Sequence, residues 1–133
     1  MLSLPSDYAH LLAALKLRVR AAQYRALQQV NQEQMQLYWD LGQLIAERQQ
    51  QQGWGKAVAE TLAHDLQTEF AGVSGFSVQN LWYMRQFYLE HSASELLQPL
   101  VGVVRWAKHL LIMARCKDPQ ERYFYTVQTQ RHA

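Results

Sequence analysis

The chain has 133 residues, of which only 18% are charged, with a formal net charge of +2 and a single cysteine. That length suits one domain with one core rather than two, and the lone Cys116 excludes an intramolecular disulfide framework. No apolar run approaches a membrane span, and the N-terminus lacks the basic, apolar, small-residue order of a secretory signal, so a reducing, cytoplasmic setting is expected.

The charge is unevenly spread. Residues 1–30 hold four basic side chains against Asp7, whereas residues 31–69 hold six acids against Arg48 and Lys56. Residues 105–131 hold six bases against Asp118 and Glu121. The two basic ends are therefore the expected faces toward phosphate.

The first segment opens at Leu4-Pro5-Ser6, where Ser6 is a natural N-cap and Asp7 suits the positive end of a helix dipole. From there Tyr8, Leu12, Leu15, Val19, Ala22, Ala26 and Val30 recur at helical spacing. They stay in phase with Leu37, Leu41 and Leu44, flanked by Tyr38 and Ile45. One long helix over residues 7–51 fits this pattern best. The competing reading is a break near Asn31, where Asn31 and Gln34 have capping-box spacing. Gly53, free to adopt the left-handed conformation, ends the segment, and Cys116 further on sits in an apolar run where a buried thiol is the default.

Residues 56–70 place Val58, Leu62, Leu66 and Phe70 at four-residue steps, which predicts an amphipathic helix. Gly72 and Gly75 mark a turn. Ser77 then caps a helix over residues 78–90, with Phe76 and Leu81 spaced as a hydrophobic staple. On this helix Leu81, Met84 and Tyr88 form the face expected to bury, with Phe87 on its flank, while Gln79, Asn80, Tyr83 and Gln86 share the opposite side. Amide side chains can donate and accept together at an adenine edge, and a helix N-terminus attracts anions. A helical hairpin with such a second helix is built like a helix-turn-helix.

A short helical turn is expected at residues 93–97, stopped near Pro99, followed by a helix over 103–116 with Val103, Trp106, Leu110 and Met113 inward. Asp118 and Pro119 start a last helix through about residue 128, in which Tyr123, Phe124 and Val127 pack. No segment alternates with period two over a strand's length. The fold class is all-α, a single helical domain over residues 1–133 with a long N-terminal helix and a helix-turn-helix-like hairpin.

Six clusters occur in order along the chain: Val30-Asn31; Leu37-Tyr38-Trp39 with Leu41-Gly42; Gly53-Trp54-Gly55; Leu62 with Asp65-Leu66; Gly75-Phe76-Ser77 with Asn80-Leu81, Met84-Arg85 and Phe87-Tyr88; and Arg122 with Phe124-Tyr125. Together they closely resemble the N-terminal module of the YhcG-like proteins, domain of unknown function 1016, over nearly the whole chain. The resemblance implies a DNA-binding helical module that stands ahead of a nuclease domain of the PD-(D/E)XK type. Within these 133 residues no separated Asp and Glu-x-Lys set exists to hold magnesium, so the nuclease domain is absent from them and cleavage is not carried over. Trp106-Ala107-Lys108-His109 departs from the family's tendency to tryptophan, a small residue and then histidine.

The matched clusters also have structural uses. Gly42 allows close helix packing, Trp39 and Trp106 are core or half-core anchors, and Asp65 suits pairing with Lys56 or a cap. Arg85 lies beside Trp82 on the border of the polar side, where it can stack, pair or reach phosphate.

The functional expectation is a non-catalytic module that binds double-stranded DNA through Ser77, Gln79, Asn80, Tyr83, Arg85 and Gln86. Phosphate contacts are expected from Lys16, Arg18, Arg20, Lys108 and Lys117. Its expected partners are DNA, a second copy as a homodimer, and a nuclease domain in cis or in trans. An alternative is a helical self-association module built from the long helix and the aromatic-rich C-terminal segment. A remote one is a HEPN-like ribonuclease, from the spacing of Arg85 and His91. No cofactor is expected, and His10, Asp40, His64 and Asp65 show no metal-ligand spacing.

Overall fold

The computed structural model describes residues 6–53 and 55–131; Leu4, Pro5, Trp54 and His132-Ala133 lie outside the described residues. Five helices follow one another: α1 (Tyr8–Gln52), α2 (Lys56–Glu69), α3 (Val78–Ser92), α4 (Trp106–Arg115) and α5 (Pro119–Arg131). A 3-10 turn, Gln98–Leu100, lies between α3 and α4. No strand occurs among the described residues, so the all-α class holds.

Helix α1 runs unbroken through Asn31. The capping box does not form, because the Asn31 amide reaches away from its own helix and donates to the carbonyls of Val104 (3.0 Å) and Gly102 (3.5 Å). At its start Asp7 rather than Ser6 holds the N-cap position and makes no side-chain cap bond. At its end Gly53 takes φ 65° and donates its N–H to the Gln49 carbonyl, the left-handed stop expected of it.

The two halves of α1 behave differently. Residues 6–30 are exposed at every position, whereas the second half buries Met35, Tyr38, Gly42 and Ile45. The core therefore forms on the flank of the long apolar stripe rather than on the stripe itself, whose Leu37 and Leu44 stay 46% and 54% exposed.

Against this flank lies α3. Met35, Tyr38 and Ile45 pack with Leu81 and Met84 of α3 and with Ala63 of α2 in one cluster, and Phe76, Leu62, Leu66, Trp82 and Trp106 close its edges. Gly42 sets how near the two helices come. A Cβ there would meet the Met84 backbone, its carbonyl carbon at 2.6 Å. Phe87 is fully buried and Tyr88 only half-buried, the reverse of the expected order, because Phe87 is ringed by aromatic edges: Trp106 at 5.2 Å, Trp39 at 6.2 Å, His91 at 4.5 Å and His109 at 4.9 Å between centroids. Both tryptophans thus anchor the core as expected.

Three expectations about the later segments are corrected. The helical piece after α3 includes Pro99 instead of ending before it, since the first turn of a helix needs no N–H from its residues and proline's missing one costs nothing there. Helix α4 starts at Trp106 rather than Val103. Residues 101–104 are held as a loop because the carbonyls of Val101, Gly102 and Val104 serve His109 and Asn31 instead of a helix ladder. On α5 the inward residues are Arg122 and Thr126, while Tyr123 and Phe124 remain 40% and 54% exposed. The cause is electrostatic: Arg122, 4% exposed, pairs with Glu90 of α3 at 2.8 Å and donates from Nε to the Cys116 carbonyl. Its position fixes the rotation of the helix. Lys56 pairs with Glu60 rather than with Asp65, which is exposed.

Candidate nucleic-acid interface

Helix α3 enters from the turn that follows α2. Gly72 and Gly75 adopt φ 89° and 107°, a region in which a side chain is strained, and so give the chain its reversal. Ser77 Oγ then accepts from the Asn80 N–H at 3.1 Å, the expected cap, and Phe76 and Leu81 both join the core cluster as a staple would.

Ser77, Gln79, Asn80 and Tyr83 come together here. With Tyr38, Ser74, Gly75 and Trp106 they line a cleft of about 320 Å³ at the N-terminus of α3. Their roles differ, however. The Asn80 amide is committed to the fold: its Nδ2 donates to the Gly75 carbonyl at 2.6 Å, and its Oδ1 accepts from the Trp106 indole at 2.7 Å. This clip ties the turn, α3 and α4 together. It could be read from sequence only by knowing that Trp106 would lie 26 residues away across the same cleft.

Gln79 is exposed and donates to the Tyr83 hydroxyl at 2.8 Å. Gln86, one turn further along the same side, donates to Glu90 at 3.4 Å. These three residues, Gln79 exposed and Tyr83 and Gln86 half-buried, form the polar row of α3. Arg85 is not part of it. It lies in a separate groove of about 470 Å³ with Glu47, Gln50, Tyr88 and Ser92, its Cζ 5.9 Å from the centroid of Trp82. The Arg85 Nε is buried with no hydrogen-bond partner among the described residues, and the side chain lies over Trp82 as expected but faces α1 rather than the Gln79–Gln86 side.

The candidate phosphate contacts fall on two bodies. Lys16, Arg18 and Arg20 are exposed on the first half of α1, and Lys108 is exposed on α4. Lys117 turns back to donate to the Met113 carbonyl at 3.1 Å, closing the end of α4.

A buried polar cluster was not anticipated from sequence. His91 and His109, 3% and 1% exposed, face each other with centroids 5.4 Å apart across Phe87. Each donates to a carbonyl, His91 Nδ1 to Phe87 and His109 Nε2 to Val101, both at 3.0 Å. Burial holds both imidazoles neutral, with pKa values lowered to about 4; His109 is further lowered by His91, and His91 by the nearby Arg122 guanidinium. The Arg85 and His91 pair expected of a ribonuclease is thus divided between a surface groove and the core. Cys116 is buried as expected, and burial raises its thiol pKa.

Among the described residues no group of three or more potential metal ligands gathers, and no helix is long and apolar enough to cross a membrane. No curated protein and no solved structure matches the chain. The family model described as DUF1016 N-terminal domain matches residues 14–133, from the exposed half of α1 through α5. The chain therefore belongs to the DUF1016 N-terminal domain family.

Proposed function

We propose that this domain is a DNA-targeting module without catalytic activity of its own, which binds double-stranded DNA and directs to it a nuclease domain carried on the same chain or a separate one. The observation that carries the reading is the polar row of Gln79, Tyr83 and Gln86 on a helix whose opposite face is packed against α1 and whose N-terminus is fixed by the Ser77 cap. Side-chain amides on one rigid helical edge suit base-edge recognition, and a phenol beside them suits phosphate. Asn80 serves this reading as a positioning residue, because its amide holds the helix to Gly75 and Trp106. Lys16 and Arg20 supply sequence-independent attraction.

The test is fluorescence-anisotropy titration against random duplex, single-stranded DNA and RNA at two salt concentrations, with the mixtures checked for cleavage. Salt-sensitive duplex binding without cleavage is expected. Replacing Gln79 and Gln86 with alanine should relax sequence preference by about 1–3 kcal/mol per lost base contact. Reversing charge at Lys16 and Arg20 should weaken all sequences alike and flatten the salt slope by about one unit per phosphate contact. A folded sample that binds no nucleic acid at low salt rejects the reading.

A further inference from the structure

We propose that two copies of this chain associate through α1 as an antiparallel pair, the basic first half of each helix lying along the acidic second half of its partner. The proposal is independent of DNA binding. It starts from a surface that the fold leaves uncovered. Leu12, Leu15 and Val19 on the first half of α1 are 36%, 52% and 56% exposed, and Val30, Leu37 and Leu44 further along are 65%, 46% and 54% exposed. At about 100° per residue all six fall on one side of the helix, about 120° round from the side that buries Met35, Tyr38, Gly42 and Ile45 against α3. Packing against α3 therefore leaves these six side chains exposed, whereas Leu41, on the edge of the stripe nearer the core, is partly buried.

Charge selects the occupant. On one flank of the stripe the first half carries Arg18 and Arg25, seven residues apart and exposed, with no carboxylate partner among the described residues. On the same flank the second half carries Glu33, Asp40 and Glu47, also exposed and seven apart, of which Asp40 and Glu47 receive only amide hydrogen bonds from Gln36 and Gln43. A parallel pair would set this flank against the partner's other flank, where the first half carries Lys16 and Arg20, so that base would meet base. An antiparallel pair brings the same flank of both helices together, so each basic half meets an acidic one.

Register follows from the same residues. With the twofold axis near Gln29, Arg25 comes level with the partner's Glu33 and Arg18 with the partner's Asp40. Leu37 then enters between the partner's Val19 and Ala22, and Leu44 between the partner's Leu12 and Leu15. The contact is isologous and closes on itself. The stripe from Tyr8 to Leu44 is about 54 Å long, and at a helix width of about 10 Å the two copies bury about 1,100 Å², enough to clear the roughly 1,000 Å² of a specific interface.

Sedimentation velocity of the full chain across micromolar concentrations tests this, with circular dichroism to verify folding. The wild-type chain is expected to be a dimer. The pair R18E/R25E, and separately E33K/D40K, should each raise the dimer Kd at least about tenfold, because attractive contacts on both sides of the axis become repulsive. Mixing the two variants should restore a heterodimer, and combining all four changes in one chain should restore the homodimer. A monomeric wild-type chain, a dimer indifferent to both charge reversals, or failure of the mixture to recover association in folded samples would each overturn the proposal. Lys16 and Arg20 lie off this flank, so K16E/R20E should leave the dimer intact whatever it does to DNA binding.

Discussion

At the scale of single residues, Gly42 and the two buried histidines carry the sharpest consequences. Alanine at position 42 would favour the helix intrinsically by about 1 kcal/mol, but its Cβ would stand 2.6 Å from the Met84 carbonyl carbon, a backbone atom that cannot rotate away. Gly42→Ala is expected to lose about 1–3 kcal/mol net in urea unfolding, as α1 and α3 move apart. An unchanged midpoint would mean that the helices separate without cost. His91 and His109 make stability depend on pH. Their folded pKa values, about 4, lie below the ordinary 6.5, so between those limits the unfolded chain binds more protons. Their stabilising contribution is fully present above about pH 6.5 and is lost as pH falls toward 4, by up to about 1.4 kcal/mol per pH unit for each histidine. Unfolding followed from pH 7 to pH 4 checks this, and His109→Gln should flatten the slope while Ser92→Ala should not.

At the scale of elements, the turn into α3 depends on two polar devices of unequal weight. Ser77→Ala removes the cap and is expected to cost about 1 kcal/mol. Asn80→Ala leaves both the Trp106 indole N–H and the Gly75 carbonyl without their partner and is expected to cost more, about 1–3 kcal/mol. Denaturant unfolding of both variants, followed by tryptophan fluorescence, ranks them. The reverse ranking would make the cap the dominant device. Helix existence was legible in the sequence here because capping and periodicity are local: Ser77 and the two glycines read alike in chain and fold, and α2 forms where the apolar spacing put it, although it buries Ala59 and Ala63 while Val58 and Phe70 at the ends of the expected stripe stay 40% and 48% exposed. The start of α4 and the rotation of α5 were not. Both are set by side chains arriving from elsewhere, Asn31 onto the loop before α4 and Glu90 onto Arg122.

At the scale of the whole molecule, α1 is both scaffold and arm. About half of its length supports α3, and the other half adds exposed apolar and basic surface to a body that already has its core. The two proposals divide that surface: Arg18 and Arg25 belong to the flank of the proposed dimer seam, while Lys16 and Arg20 remain available to phosphate. Family membership and the all-α class were determined by the sequence itself, because cluster order and helical periodicity are written in neighbouring residues, whereas the continuity of α1 through Asn31, where capping-box spacing left a break open, was decided by the contacts of the Asn31 amide with the loop before α4. Only the tertiary structure decided that the core would use the flank of the α1 stripe, that Asn80 would be a clip and Arg85 would face α1, and that two histidines would be buried together. Each of these depends on residues distant in the chain meeting in space. Periodicity tells which side chains share a helix face, but only packing chooses which face is covered and which is left for a partner.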